Sequence, residues 1–254
     1  MLKHRLIAVI LVRDGRVVQS VKFKHTNVIH YDPIHAIESF NKWAIDEIAV
    51  LNVSKEEISK HDFVNVIRKI STECFVPLAA GGWITDIEYA RSVLANGADK
   101  LVVNTFGFQH PDFITELAKK FGNQCVVVSI DSKRHESGAE VVAIDRGKTV
   151  TEMPTVAWAK KAESLGAGEL FLNSIDFDGS RKGYNTVLFG EVTENVSIPV
   201  IAMGGVLTWN HLADGITVAK ADAVAAANIF HYTEHSTKKA KKYLLDAGLN
   251  FRNI

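Results

Sequence analysis

Apolar, β-branched runs of strand length recur along the chain at Leu6–Val12, Ile48–Leu51, Val76–Ala80, Leu101–Val103, Val126–Ile130, Leu170–Leu172, Ile198–Ala202 and Ala223–Ala227. Within each run the apolar residues follow one another rather than alternate with polar ones, as in strands buried on both faces. Between most of them apolar residues return at helical spacing, as in Ile87-Ala90-Val93-Leu94 and Phe113-Leu117-Phe121. Eight β-then-α units in 254 residues predict an α/β fold, a closed (β/α)8 TIM barrel rather than an open sheet. Two further strand-like stretches, around Arg16–Phe23 and Val141–Asp145, follow the first and fifth barrel strands and read as hairpins in the rim loops.

Those hairpins occupy corresponding places in the two halves of the chain, and the halves match elsewhere. Pro77-Leu78-Ala79-Ala80-Gly81-Gly82 resembles Pro199-Val200-Ile201-Ala202-Met203-Gly204-Gly205, and the count from Gly81 to Ala98-Asp99 equals that from Gly204 to Ala221-Asp222. A two-fold internal repeat of half-barrels follows. No Ser/Gly-rich linker or low-complexity run separates the halves, so the expected organisation is one barrel domain over residues 1–254.

Composition narrows the ligand. Hydrophobic residues make up 47% of the chain, enough for one large core, and 29 Lys plus Arg balance 29 Asp plus Glu. No charge excess invites nucleic acid or an acidic membrane surface, so a small, locally charged ligand is expected. The N-terminal Met1-Leu2-Lys3-His4-Arg5 leads straight into a strand that is charged again at Arg13-Asp14, too short for a signal or a span, and the expected location is cytoplasmic. Cys74 and Cys125 read as buried reduced thiols rather than a nucleophile or metal ligands. His231 and His235 have the spacing of a metal-binding pair, but no second pair or supporting carboxylate accompanies them, and His25, His30 and His35 read as loop residues. No metal or cofactor is therefore expected. The run Lys238-Lys239-Ala240-Lys241-Lys242 reads as a solvated helix face.

In a barrel the loops after the strands carry function, and a phosphate site commonly follows strands seven and eight. Gly204 and Gly205 lie there, with Ala227 and Asn228 after strand eight. Glycines let backbone N–H groups approach an anion, and a following helix adds its positive end. The repeat places Gly82 and Trp83 after strand three and Asn104 and Thr105 after strand four. Each Gly-Gly alone reads more simply as an ordinary turn. Two at matched positions point to a ligand with a phosphate at each end.

Several segments make the resemblance specific: Met1–Ala8, Asp14-Gly15-Arg16-Val17-Val18, Gly97-Ala98-Asp99-Lys100, Val126–Arg134 and Ser174-Ile175-Asp176-Phe177-Asp178-Gly179. From end to end the chain resembles the cyclase subunit of imidazole glycerol phosphate synthase. The resemblance implies a barrel that docks a separate glutaminase as a heterodimer, passes ammonia through its core, and acts on a phosphorylated small molecule at the opposite rim. It implies a pair of catalytic aspartates at the ends of strands one and five, one to donate and one to accept a proton. Asp131 fills the strand-five place, where a structural cap on the rim loop is the alternative, and Asp178 is retained after strand six beside Gly179 of the phosphate-binding set. The strand-one place holds Leu11, which cannot shuttle a proton.

Other departures gather at the same rim: Gln19 stands where the family usually has Lys, Asn52 where it has Asp, Asn173 where it has Thr, and Trp83 where it has a small residue. At the opposite end Arg5, Glu47, Lys100 and Glu169 match the family's charged ring at the ammonia entrance, a solvated ion-pair plug being the alternative, and Asp99 and Gln124 match positions near its docking face. Lys133-Arg134 near Asp131 reads equally as an anion contact or a solvated loop. An inlet kept while the outlet changes is similar to the cyclase-like paralogues associated with acetamidino modification of surface sugars. That resemblance implies a glutamine amidotransferase subunit whose ammonia reaches a separate sugar-amidating enzyme or a nucleotide-linked sugar. Two alternatives stay open: a genuine cyclase of histidine biosynthesis, and a non-catalytic ammonia-channel scaffold.

Overall fold

In the computed structural model, residues 2–55, 60–231 and 235–253 are described. In chain order the strands are β1 (Arg5–Arg13), β2 (Arg16–Val21), β3 (Lys24–His30), β4 (Glu47–Asn52), β5 (Leu78–Gly81), β6 (Lys100–Val103), β7 (Val126–Arg134), β8 (Glu140–Ile144), β9 (Thr149–Pro154), β10 (Glu169–Ser174), β11 (Val200–Met203) and β12 (Ala223–Ala226). The helices are α1 (Ile34–Lys42), α2 (Lys60–Ser71), α3 (Ile87–Ala95), α4 (Thr105–Gln109), α5 (Asp112–Phe121), α6 (Thr155–Ser164), α7 (Thr186–Asn195), α8 (Trp209–Thr217), α9 (Asn228–His231) and α10 (Ser236–Asp246).

The strand order β10-β11-β12-β1-β4-β5-β6-β7, with β10 also paired to β7, closes the eight barrel strands into the (β/α)8 ring. All eight apolar runs overlap these strands, with residues 76–77 and 198–199 preceding β5 and β11, and the strand side chains are buried almost throughout, as continuous apolarity requires. The helices between them are amphipathic. In α5, Phe113, Ile114, Leu117 and Ala118 are buried, Asp112 lies in the first turn, and Lys119 and Lys120 lie in the last, matching the helix dipole at both ends. In α3 the Asp86 side chain accepts from the Tyr89 N–H at 2.7 Å, closing the N-terminus.

The chain divides into two units, residues 1–20, 24–102 and 226–254 in one, 21–23 and 103–225 in the other. The first contains β1, β4, β5 and nearly all of β6; the second contains β7, β10, β11 and nearly all of β12. The repeat seen in the sequence recurs in atomic detail. In the first unit the Leu78 N–H donates to Asp99 Oδ2 at 2.8 Å while the Asp99 N–H donates to the Leu78 carbonyl at 2.8 Å. In the second the Val200 N–H donates to Asp222 Oδ2 at 2.9 Å and the Asp222 N–H to the Val200 carbonyl at 3.0 Å. Asp99, which the family resemblance places near a docking face, thus has one carboxylate oxygen committed to holding the start of β5.

The hairpins are larger than the sequence pattern predicts. After β1 the chain runs antiparallel in β2 and back in β3; after β7, itself extended to Arg134, it runs in β8 and β9. The stretch Lys24-His25-Thr26-Asn27 at the start of β3 is polar and reads as loop, because a rim strand needs no apolar face to form its ladder. A second difference concerns α10. Lys241, in the lysine run expected to face solvent, is 1% exposed, and its Nζ donates to Asp46 Oδ1 at 2.6 Å. Asp46 Oδ2 accepts from the Leu6 N–H at 2.9 Å, so one carboxylate fastens both the last helix and the entry to β1.

Candidate functional site

In the second unit the strand register sets Asn173 beside Asp131 and Phe171 beside Ser129. Side chains two apart on a strand share a face, so Ser129 and Asp131 point to the same side. Asp131 is 7% exposed. Its Oδ2 accepts from Asn104 Nδ2 at 2.7 Å, and its Oδ1 accepts a longer bond from Asn173 Nδ2 at 3.4 Å. Burial pushes the Asp131 carboxyl up to about 6, against the two amide donors, which favour its charged form, and with a smaller contribution from the negative charge of Asp178. A carboxyl titrating there is suited to take up and release a proton near neutrality.

Asp178 lies in the turn after β10, where the Phe177 and Asp178 N–H groups donate to the Ser174 carbonyl at 3.1 and 2.9 Å. Its Oδ2 accepts from the Phe23 N–H at 3.4 Å, which ties it to the tip of the first hairpin. Burial raises its pKa above the ordinary value, opposed by the backbone N–H bonds from Phe23 and Lys22. Gly179 (φ +68°) follows, and a Cβ there would lie 2.4 Å from Val21 Cγ1.

Gly204 (φ +102°) and Gly205 (φ +86°) follow β11 in conformations that favour glycine. A Cβ on Gly204 would fall 2.6 Å from Asn173 Oδ1, and one on Gly205 would fall 2.1 Å from the Gly183 carbonyl oxygen. The loop's own packing therefore demands both glycines. Asn104 and Thr105, expected at a phosphate, have side chains engaged elsewhere: Asn104 on Asp131, and Thr105 Oγ1 accepting the Asp145 N–H at 3.0 Å. What these two positions can offer an anion is their backbone N–H.

In the first unit Leu11 pairs in register with Leu51 and Val12 with Asn52. Asn52 and Trp83, two of the expected departures from the family pattern, meet at Ser54 here. A Cβ on Gly82 (φ +112°) would lie 2.4 Å from the Asn52 carbonyl oxygen, and Trp83, itself at φ +59°, donates from Nε1 to the Ser54 carbonyl at 3.1 Å. Asn52 Oδ1 accepts the Ser54 N–H at 3.0 Å, and Ser54 Oγ accepts the Asp14 N–H at 3.0 Å. Gln19 Oε1 accepts from Asn27 Nδ2 at 3.1 Å in the hairpin. Ala227 joins β12 to the four-residue α9 and accepts the Phe230 N–H at 3.1 Å, while Asn228 Nδ2 donates to the Ser20 carbonyl at 2.9 Å.

At the start of the same strands, Glu47 is 2% exposed and accepts from Arg5 Nη1 at 2.6 Å and from Lys100 Nζ at 2.8 Å. Glu169, the matching residue of the second unit, is buried at the start of β10 beside Val127. His231 packs its ring against Phe40 at 5.4 Å and His30 at 5.8 Å, and burial lowers its pKa to about 4, whereas His235 lies against Trp43 at 5.5 Å. The two rings have different neighbours.

The sequence marks Asn173 only as a departure from the family pattern and carries no sign of its contact to Asp131. The place of Asn104 after strand four points to a phosphate, and one sequence does not tell use of a side chain from use of its N–H.

Residues 5–236 match the family of histidine biosynthesis proteins. The chain is 40% identical over 252 residues, 99% of its own length and all of the relative's, to the imidazole glycerol phosphate synthase subunit HisF of Chloroherpeton thalassium. The chain belongs to the histidine biosynthesis protein family, as a homologue of that synthase subunit.

Proposed function

We propose that this protein is the synthase subunit of a glutamine amidotransferase, one that takes ammonia from a separate glutaminase through its barrel and supports amidation of a phosphorylated acceptor other than the histidine-pathway substrate. Leu11 carries the reading. A buried proton carrier, Asp131, is kept on β7, while the strand-one residue that would share a ring closure has no titratable group. Asn52, Ser54 and Trp83 interlock around the same end of the first unit, which accords with a reshaped acceptor site rather than a single lost residue. Arg5, Glu47, Lys100 and Glu169 are the ammonia gate in this reading, and Gly82, Gly179, Gly204, Gly205 and the backbone of Trp83, Asn104, Thr105, Ala227 and Asn228 are the phosphate contacts. A nucleotide-linked sugar, or a separate sugar-amidating enzyme, is the destination of the ammonia.

Mixing the purified chain with its glutaminase tests this. A complex with stimulated glutamine hydrolysis is expected, together with no ammonia-dependent formation of imidazole glycerol phosphate. The second reading, the cyclase of histidine biosynthesis, is favoured by the full-length 40% identity to a subunit with that name. Ammonia-dependent turnover of the histidine-pathway bisphosphate by the parent chain would establish it, whereas turnover gained only in Leu11→Asp would show that Leu11 has removed that reaction. Absence of any glutaminase complex would reject both.

A further inference from the structure

Asn173 is 5% exposed, and its Oδ1 makes no hydrogen bond among the described residues. A buried carbonyl oxygen without a donor is costly, so natural proteins seldom leave one. The amide is not free to turn over. Its Nδ2 is the end that faces Asp131 Oδ1, and exchanging the two ends would set a carbonyl oxygen against a carboxylate oxygen. Ionised Asp131 thus fixes the amide with Oδ1 directed away from it, to where a Cβ on Gly204 would sit 2.6 Å off. Only a glycine at 204 lets the oxygen sit there.

We propose that Asn173 Oδ1 and the Asp131 carboxylate form a donor-reading subsite in the second unit, which takes an N–H or O–H group of the bound molecule and makes Asn173 a specificity-determining residue. Asn104 Nδ2 already occupies one side of Asp131 Oδ2, leaving further lone pairs on that carboxylate to share the incoming donor with Asn173. A ligand lacking a donor at this point would strand both acceptors. Sites built around such buried acceptors reject the analogue without a donor far more strongly than pockets that discriminate by methylene count. The inference deepens the amidation reading by naming what the rim recognises, and it does not require a glutaminase.

Ammonia and a ligand hydroxyl are both donors, so two probes separate them. The chain, labelled with 13C at aspartate and asparagine side-chain carbonyls, is titrated with ribose 5-phosphate in one arm and with ammonium chloride at pH 9 in the other, against sodium chloride at equal ionic strength. A saturable shift of the Asn173 carbonyl resonance is expected in one arm, identifying hydroxyl or ammonia as the donor. In Asn173→Leu, followed through the Asp131 resonance, half-saturation should need at least tenfold more of that probe. If Asn173→Leu does not fold, Asn173→Ser, too short to reach the same point, carries the same expectation. No saturable shift in either arm, or an unchanged half-saturation in the folded variant, overturns the subsite. The proposed amidotransferase role is judged separately by glutaminase binding, so either can fail alone.

Discussion

Asp131 illustrates how one residue links the fold's stability to its chemistry. Its carboxyl holds a proton up to about pH 6, against an ordinary value of 3.8. Between those values the folded chain binds the proton more tightly than the unfolded chain, so this group's contribution to stability is present below pH 3.8 and is lost as pH rises through 6. Asp131→Asn, neutral at every pH, should therefore be more stable than the parent at pH 8, by about 1–3 kcal/mol, with the difference shrinking towards pH 5. Urea unfolding of both proteins at the two pH values measures it, and a difference independent of pH would contradict a raised value. Any reaction that needs ionised Asp131 should likewise show an acidic limb near pH 6. The glycines make a second test. Gly205→Ala sets a Cβ 2.1 Å from a backbone oxygen at φ +86°, whereas Gly15→Ala, at φ +73°, meets nothing within 4 Å. Gly15→Ala should cost about 1 kcal/mol, the left-handed penalty alone, and Gly205→Ala clearly more, about 3 kcal/mol, in the same denaturation assay. At this scale the sequence marks the glycines as special but not why: the pairing with Gly183 joins positions far apart in the chain.

At the scale of elements, the barrel strands are legible because burial on both faces leaves an uninterrupted apolar run, and each of the eight runs overlaps one barrel strand. What escapes the pattern is held by polar contacts. β3 has a polar sequence and forms by pairing with β2. Lys241 looks like one member of a solvated lysine run, yet it is the one that reaches Asp46. Periodicity alone does not choose among neighbouring lysines. The repeat supplies a prediction at this scale. Asp99 and Asp222 close the starts of β5 and β11 with the same pair of backbone bonds, so Asp99→Ala and Asp222→Ala should cost similar amounts, about 1–3 kcal/mol each. Thermal or urea unfolding of the two variants checks this, and a marked inequality would show that the repeat is one of shape and not of energetics.

Across the whole molecule, the family resemblance implies a pattern kept at Arg5, Glu47, Lys100 and Glu169 and changed at Leu11, Asn52, Trp83 and Asn173. The sequence does not say which of the retained charges depends on which. Glu47 is the centre in the first unit, where one buried carboxylate accepts from both Arg5 and Lys100. Removing a carboxylate from between two cations leaves like charges facing each other, a loss larger than that of an exposed ion pair. Glu47→Ala should therefore lower stability by about 1–3 kcal/mol, with Glu47→Gln, which keeps an acceptor oxygen and the side-chain volume, losing less. If the cluster merely plugs the strand ends, the effect stops there, and the folded Glu47→Gln protein will support glutamine hydrolysis as the parent does. If it gates ammonia, as proposed, Glu47→Gln should still bind the glutaminase but show stimulated hydrolysis reduced at least severalfold. Measuring binding and hydrolysis on the same preparation separates the two, because a plug and a gate predict the same stability and different turnover.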